Sequence, residues 1–581
     1  MKLLLLYLFI LFQITAFAQI KTALNLGFET EKSNGEPYSW LFNKDQGAGV
    51  ACDNLYSFKG LKSLYVDARK ITLPTYLVYN YLPGKYLKGK HSIRITAFIK
   101  TDSITQSISF LMNQQGAGSV YKATKYSDST FSNGWKRYSV QSLVDTTAEH
   151  VLFGFSLPKG NYWIDNVRIE LDESVVNDEA PILVQLPSVS DIEWLKKNST
   201  EINLNSSAGL TQKEIFRISK SLTKTKILAL GEATHGTHEF FDVKIRLIKS
   251  LVEDYKFNVI AFEAPMDELY EVNKYIIEGK GRISAVVQGR AFYRVYDTQE
   301  VQELIEWLKN ENLSRSKENK IYFAGIDMQG GTQAYKNIQE YLTADTVLSK
   351  RFQSVYTAFL KPKTKLIERE RFCNMVDTFY NTFHTNKPIL SKTGGLDSKW
   401  IEQNIELIRQ SAKKQYDDAL GRGLTRDSMM AENALWLSKY YPDSKIILWG
   451  HNAHIYNQTK YMGAYLYQKL GEKYFAIGLT TANGVFNVFP NSGTTTYPLV
   501  PPTKETFEYY FSNIDKPAFI FPTHGAREKL NSFSQLAFRS VGAAATNHQF
   551  HHLDKNLLEL FDAIIFIKDT TPSKARLKNK L

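Results

Sequence analysis

The stretch Lys226–Pro265, KILALGEATHGTHEFFDVKIRLIKSLVEDYKFNVIAFEAP, constrains the fold more than any other part of the chain. Ile227–Leu230 is an apolar run of strand length, and the loop behind it gathers Gly231, Glu232, His235, Gly236, His238 and Glu239. Phe241, Ile245, Ile248 and Val252 then recur every three to four residues, the spacing of a helix with one buried face. A second apolar run, Asn258–Phe262, ends on Glu263. Strand, helix and strand in this order make a right-handed crossover with the two strands parallel. Ligands of parallel sheets sit outside the carboxyl ends of the strands, so Glu232, His235 and Glu263 are predicted to face one crevice.

At 581 residues the chain is longer than one core normally supports, which predicts two or three domains. Its 43% hydrophobic and 22% charged residues are those of a globular protein. A net charge of +12 would suit nucleic acid, but the lysines and arginines are interleaved with acids and form no basic helix. That is a dispersed solvated surface, and no nucleic-acid partner is expected. The basic run at the end, Lys574–Leu581, reads as part of a frayed tail over 571–581. Residues 1–18 carry one positive charge, an apolar stretch from Leu3 to about Phe12, and then Ala16-Phe17-Ala18. This predicts a secretory signal too short to span a membrane, and a secreted or periplasmic chain starting at Gln19. The two cysteines, Cys52 and Cys373, fall in different predicted domains and are expected to be buried, unbridged thiols.

Over residues 19–172 short runs of period two follow one another, among them Ser63–Val66, Tyr76–Tyr81, Ser92–Ile99, Ser107–Met112, Trp135–Val140, Val151–Ser156 and Tyr162–Ile169. Ser132-Asn133-Gly134 and Pro158-Lys159-Gly160 supply turns between them, and the whole predicts an all-β sandwich. Its entry, NLGFETEKSNGEPYSW, and its exit, YWIDNVRIE, resemble the jelly-roll, carbohydrate-binding-module-like domains attached to exported enzymes. That resemblance implies a glycan partner. Tyr38, Trp40, Tyr56 and Tyr81 either stack on sugar rings or fill the sandwich core.

Residues 173–200 read as a linker with a short helix around Asp191–Lys197. From 201 to 570 the pattern is α/β. Helices are predicted near Gln212–Leu222, Met266–Glu278 and Glu300–Asn310, and further strands at Lys320–Gly325, Lys445–Trp449, Tyr474–Leu479, Ala518–Phe521 and Ala563–Ile567. These make a mostly parallel sheet of six or seven strands flanked by helices. A helical insertion over about 333–440 is placed to cap the site.

Four strand ends thus deliver Glu232 with His235, Glu263, Asp327, and His451 with His454. Imidazole titrates near neutral pH and a carboxylate fixes its tautomer, so a His–Glu pair is a general base able to activate water. A second histidine can protonate a leaving group or stabilise an oxyanion. The chain has no G-x-S-x-G elbow, which favours direct attack by water. Two H-x-x-H pairs, His235/His238 and His451/His454, together with the carboxylates, suit zinc as the alternative account. Neither pair belongs to an H-E-x-x-H helix, so no cofactor is expected. His548, His551 and His552 read as an exposed loop, and Arg426 with Asp427 as the start of a helix. Arg426 is either an anion or carbonyl anchor or half of a structural ion pair.

GEATHGTHEF (231–240), FEAP (262–265), GIDMQ (325–329), RDSMMAEN (426–433), LWGHNAH (448–454) and MGAYL…YFAIG (462–478), taken as an ordered set, resemble the erythromycin esterase family over about 225–570. The resemblance implies hydrolysis of an ester, in named members a macrolactone, by a water that a histidine activates. It implies His235 as the base, Glu263 and Glu232 as its carboxylate partners, and His451 with His454 at the reacting carbonyl. His238, Asp327 and Arg426 are expected to hold the substrate, a small-molecule ester or macrolide. The β-sandwich lies outside this resemblance. It leaves an esterase of acylated polysaccharide or glycolipid as one alternative and a non-catalytic glycan-binding protein as another.

Overall fold

The computed structural model describes residues 21–576 except 23, 43–46, 73–74, 103–107, 116–119, 126, 132, 149, 179–185, 287–291, 387–396, 421–424, 491–492, 531, 534–535, 544, 546–548 and 552–554. The expected signal at 1–18, His548, His552 and residues 577–581 therefore lie outside the described residues. The chain divides into two compact units, 1–183 and 184–581. No helix among the described residues is long and apolar enough to cross a membrane.

The first unit is an all-β sandwich. A seven-stranded sheet runs in the order Gly49–Asp53, Ser63–Asp67, Asn161–Leu171, Ser92–Thr101, Lys136–Leu143 and Ser129–Thr130, with Ser174–Val175 beside Asn161–Leu171. A five-stranded sheet runs Leu41–Phe42, Tyr76–Pro83, His150–Leu157, Ser109–Gln115 and Val120–Thr124. Alternation aims Ile93, Ile95, Ala97 and Ile99 of one sheet and Val151, Phe153, Phe155 and Leu157 of the other into one core. Trp40 fills that core, Tyr38 and Tyr81 are half-buried, and Tyr56 is exposed. Both cysteines are free, but only Cys373 is buried. Cys52 is half-buried because Gly49–Asp53 is the edge strand of its sheet.

The second unit is built on a nine-stranded sheet. Its order is Thr200–Glu201, Ala518–Pro522, Ala563–Thr570, Tyr474–Val488, Ile227–Leu230, Lys445–Trp449, Phe257–Pro265 and Tyr322–Asp327, and Thr495–Pro498 pairs with the far end of Tyr474–Val488. From Ala563–Thr570 to Tyr322–Asp327 every neighbour is parallel, while the two strands at the other edge run antiparallel. Parallel strands are covered on both faces. Leu228 and Leu230 pack with the helices His238–Asp254, Tyr270–Glu278 and Gln299–Ser314, whereas Ile227 and Ala229 pack with Thr425–Tyr440 and Met462–Leu470. The inserted helices Thr332–Tyr341, Thr346–Phe359, Leu366–Asn386 and Ser398–Ala419 form a core of their own around Tyr335, Phe352, Phe379 and Ile405.

Two further readings of the sequence change here. The short helix of the expected linker spans Val189–Asn198, closed by a capping box between Ser188 and Asp191, and its Leu195 is buried under the sheet. Thr200–Glu201 follows as an edge strand, so from about Ser188 the chain is part of the second unit. Asp191, one of the acids of that stretch, is thus a helix-capping group. The second change concerns His551, which lies half-buried in a two-residue strand paired to Phe538–Arg539 rather than in an exposed loop.

Candidate active site

Four adjacent strands, Ile227–Leu230, Lys445–Trp449, Phe257–Pro265 and Tyr322–Asp327, place their carboxyl ends side by side. Glu232 and His235 follow the first, His451 and His454 the second, Glu263 lies in the third, and Asp327 closes the fourth. The pairing of the third and fourth strands shifts register between Phe262 and Pro265, a bulge that re-aims Glu263. Gly231 is needed for close approach, since a Cβ there would overlap Asn452 Oδ1. Asn452 in turn ties the loops together: its N–H donates to Glu232 O at 2.9 Å and its side chain bridges the backbone N–H and C=O of Leu479.

One half of the site is a relay ending on His235. His235 Nδ1 lies 2.7 Å from Glu232 Oε1. The other oxygen of Glu232 accepts from Lys244 Nζ at 2.5 Å and from Trp449 Nε1 at 3.1 Å. Lys244 is fully buried and sits 4.4 Å above the Trp449 ring, a desolvated cation–π contact. Burial lowers the Lys244 ammonium to about 8, against the pull of Glu232. With Nδ1–H donating to Glu232, Nε2 of His235 carries the lone pair. Among the described residues that nitrogen has no hydrogen-bond partner, and the imidazole is 12% exposed. His235 N donates to Gly542 O at 3.0 Å, which fixes the backbone beneath it.

The other half is a ring of charges around Glu263. Its Oε2 accepts from His451 N at 2.9 Å, and its Oε1 faces Arg426 Nη2 at 2.9 Å and His454 Nε2 at 3.1 Å. Arg426 also grips Asp327 Oδ2 through Nη2 at 2.6 Å and Nε at 3.1 Å, and Tyr293 OH donates to the same oxygen at 2.6 Å. His454 Nδ1 lies 2.9 Å from Asp427 Oδ1. Its Nε2 is also 3.0 Å from Arg426 Nη1. One nitrogen cannot donate to Glu263 and accept from Arg426 at once. With a carboxylate at each nitrogen the ring is an imidazolium that donates to both. Burial opposes that charge, but Glu263 and Asp427 outweigh it and raise His454 to about 10. Burial alone would likewise raise Glu263, yet His454 and Arg426 hold its carboxyl well below the usual range.

His451 differs from its neighbour. Its Nδ1 accepts from Ala453 N at 3.1 Å and its Nε2 donates to Ala233 O at 3.2 Å, a neutral tautomer with both nitrogens engaged. Burial, with His235 and His454 nearby, keeps it well below the ordinary histidine value. Its ring stands 5.0 Å from that of His235.

Seven of the residues singled out from the sequence therefore meet at these strand ends, and His238 does not bond to them: its Nδ1 lies 2.6 Å from Glu300 Oε1. Only Glu232 of the two expected carboxylate partners reaches His235, because the bulge turns Glu263 toward Arg426 and His454. Lys244, Trp449, Tyr293 and Gly542 were not anticipated. Lys244 had a readable signal, a lysine three residues after Phe241 and four before Ile248, on the buried face of its helix. Tyr293 precedes a short 3-10 turn outside any periodic segment and had none. Among the described residues no group of three or more His, Cys, Asp and Glu side chains is placed to hold a metal ion.

The erythromycin esterase family model matches residues 252–570. That stretch contains Glu263, Asp327, Arg426, His451 and His454, while Glu232 and His235 precede it. YbfO of Bacillus subtilis (strain 168) is 23% identical over 422 residues, which span 65% of this chain and 91% of that protein. The erythromycin esterase type II of Escherichia coli is 24% identical over 331 residues, 50% of this chain and 77% of that one. The solved structure of a mutant of the erythromycin esterase EreC in its open conformation superposes with a TM-score of 0.51 at 18% identity, covering 65% of this chain and 99% of that one, and shares the fold.

Proposed function

This chain belongs to the erythromycin esterase family, and from that premise we propose that it hydrolyses a carboxylic ester or macrolactone with a water deprotonated by His235. The observation that carries the proposal is the His235 ring itself, pinned by Glu232 through Nδ1 with Nε2 unengaged and partly open. Nε2 takes a proton from water as the oxygen attacks the ester carbonyl, and Glu232 steadies the imidazolium that forms. Lys244 and Trp449 hold Glu232 in place. Arg426 and His454 are the partly open cations of the cluster, 19% and 17% exposed, and are assigned to stabilising the oxyanion by their charge. Glu263 and Asp327 orient them. His451, with both nitrogens held by backbone, is assigned to positioning rather than to the carbonyl. Collapse of the tetrahedral intermediate breaks the C–O bond, and the alkoxide leaves with the proton that His235 Nε2 took from water, so one water yields an acid and an alcohol and the imidazole is neutral again.

One observation favours an acyl ester on a polysaccharide or glycolipid as the alternative substrate. Tyr56 is 44% exposed beside Trp163, ring centroids 4.9 Å apart, with Lys100 Nζ 4.4 Å above the Tyr56 ring. Flat ring faces match the apolar face of a sugar.

The test is a mass-resolved screen of the purified full chain against macrolides and acylated glycans. A macrolide heavier by one water, or an acid released from a glycan, is expected. Tyr56→Ala is expected to slow release only from a polymeric substrate. Failure to open any ester in the screen would overturn the proposal.

A further inference from the structure

The family match ends at residue 570, and the chain then runs back past the histidine loop. Thr571 O accepts from His238 N at 2.9 Å, and Ser573 N donates to Gly236 O at 2.9 Å, around an antiparallel bridge between Thr237 and Pro572. Glu239 holds one side, its two oxygens accepting from Thr571 N and Oγ1 at 2.7 Å each. Asn487 holds the other: Nδ2 donates to Ser573 O at 2.7 Å, and its own N–H donates to Gly236 O at 2.9 Å. Farther on, Lys574 O accepts from Gln299 N and Lys574 N donates to Glu300 Oε1, both at 2.9 Å. That Glu300 oxygen is the one bound to His238. Arg576 pairs with Asp297 at 2.7 Å. The segment read from the sequence as the start of a frayed tail is thus tied down, with Ser573 buried.

His235 is one residue ahead of the bridged stretch, and Gly542 O holds its own N–H. Its loop is clamped between two segments from the far end of the chain. We propose that Thr571–Arg576 is a positioning strap, which fixes Gly236–Glu239 and so sets where His235 Nε2 stands relative to the attacked carbonyl. The inference rests on His235 acting as the base proposed above. The strap acts through the backbone of the loop, and a displacement of roughly 1 Å in a reacting group is enough to cost on the order of 10²-fold in rate.

Two shortened chains test this against the full chain. One ends at Arg576 and keeps the strap, and the other ends at Thr570 and lacks it. The first is expected to match the full chain in kcat. The second is expected to lose roughly 10- to 100-fold in kcat with KM nearly unchanged. Hydrogen exchange needs no substrate and reads the strap by itself: the amides of His238 and Gln299 should exchange faster without it, while Ile227–Leu230 stays protected. If the shorter chain does not fold, Glu300→Leu with Asn487→Ala, which release the segment but leave it in the chain, carry the same expectation. Faster exchange at His238 with kcat unchanged would overturn the positioning role, and unchanged exchange would overturn the strap itself. Absence of any hydrolysis in the full chain would instead count against the proposed base, with the exchange result still standing.

Discussion

Alanine at His235 is expected to lower turnover by at least about 10²-fold with the second unit still folded. The ring touches solvent and bonds through one nitrogen, so its removal takes away the base without opening the core. Glu232→Gln is expected to act on the same step, since an amide cannot steady an imidazolium as a carboxylate does. The double variant should lose little more than the worse single one, because groups that act as a unit are non-additive. Steady-state kcat at saturating substrate reads this directly. A His235→Ala chain within a few-fold of the parent would remove the base from the account.

Lys244→Met is expected to produce the largest loss of stability among single changes at the site. Lys244 and Glu232 are both inaccessible to solvent and 2.5 Å apart, so removing the ammonium strands a buried carboxylate. Breaking one partner of such a pair costs about 3–5 kcal/mol, whereas replacing both is often close to neutral. Methionine keeps most of the volume and its contact with Trp449. The double change Lys244→Met with Glu232→Gln is therefore expected to recover most of the stability and none of the activity. Urea unfolding of the three chains, followed with kcat, separates the two effects. If the single Lys244→Met chain unfolds at the parent's urea concentration, the pair is not the support that its geometry implies.

The parts of this site visible in the sequence share one physical origin. Apolar runs of strand length mark buried parallel strands, and the polar residues just behind them must lie at the carboxyl edge. That reasoning reaches Glu232, His235, Glu263, Asp327 and His451 and brings them to one edge of the sheet. It does not reach pairings within the edge, which depend on single-residue geometry. Glu263 is the example, since the bulge after Phe262 is what gives it to Arg426 and His454 instead of His235. Tyr474–Val488 is longer than its apolar run suggests because Thr480 and Thr481 look like a strand end, yet both are buried, Thr480 bonded to Glu508 at 2.6 Å. The strap was hidden for a different reason. Its bonds to the histidine loop join residues more than three hundred positions apart, and its lysine and arginine resemble tail composition.

The central claim is that a water activated by His235, without a metal, opens the ester. It is tested most directly by the rate of ester cleavage after exhaustive dialysis against a chelator. Retention of the full rate, with no gain on adding zinc, is the result the account predicts. Loss of activity that zinc restores would contradict it, and would turn His235, His451 and His454 from base and charge partners into metal ligands.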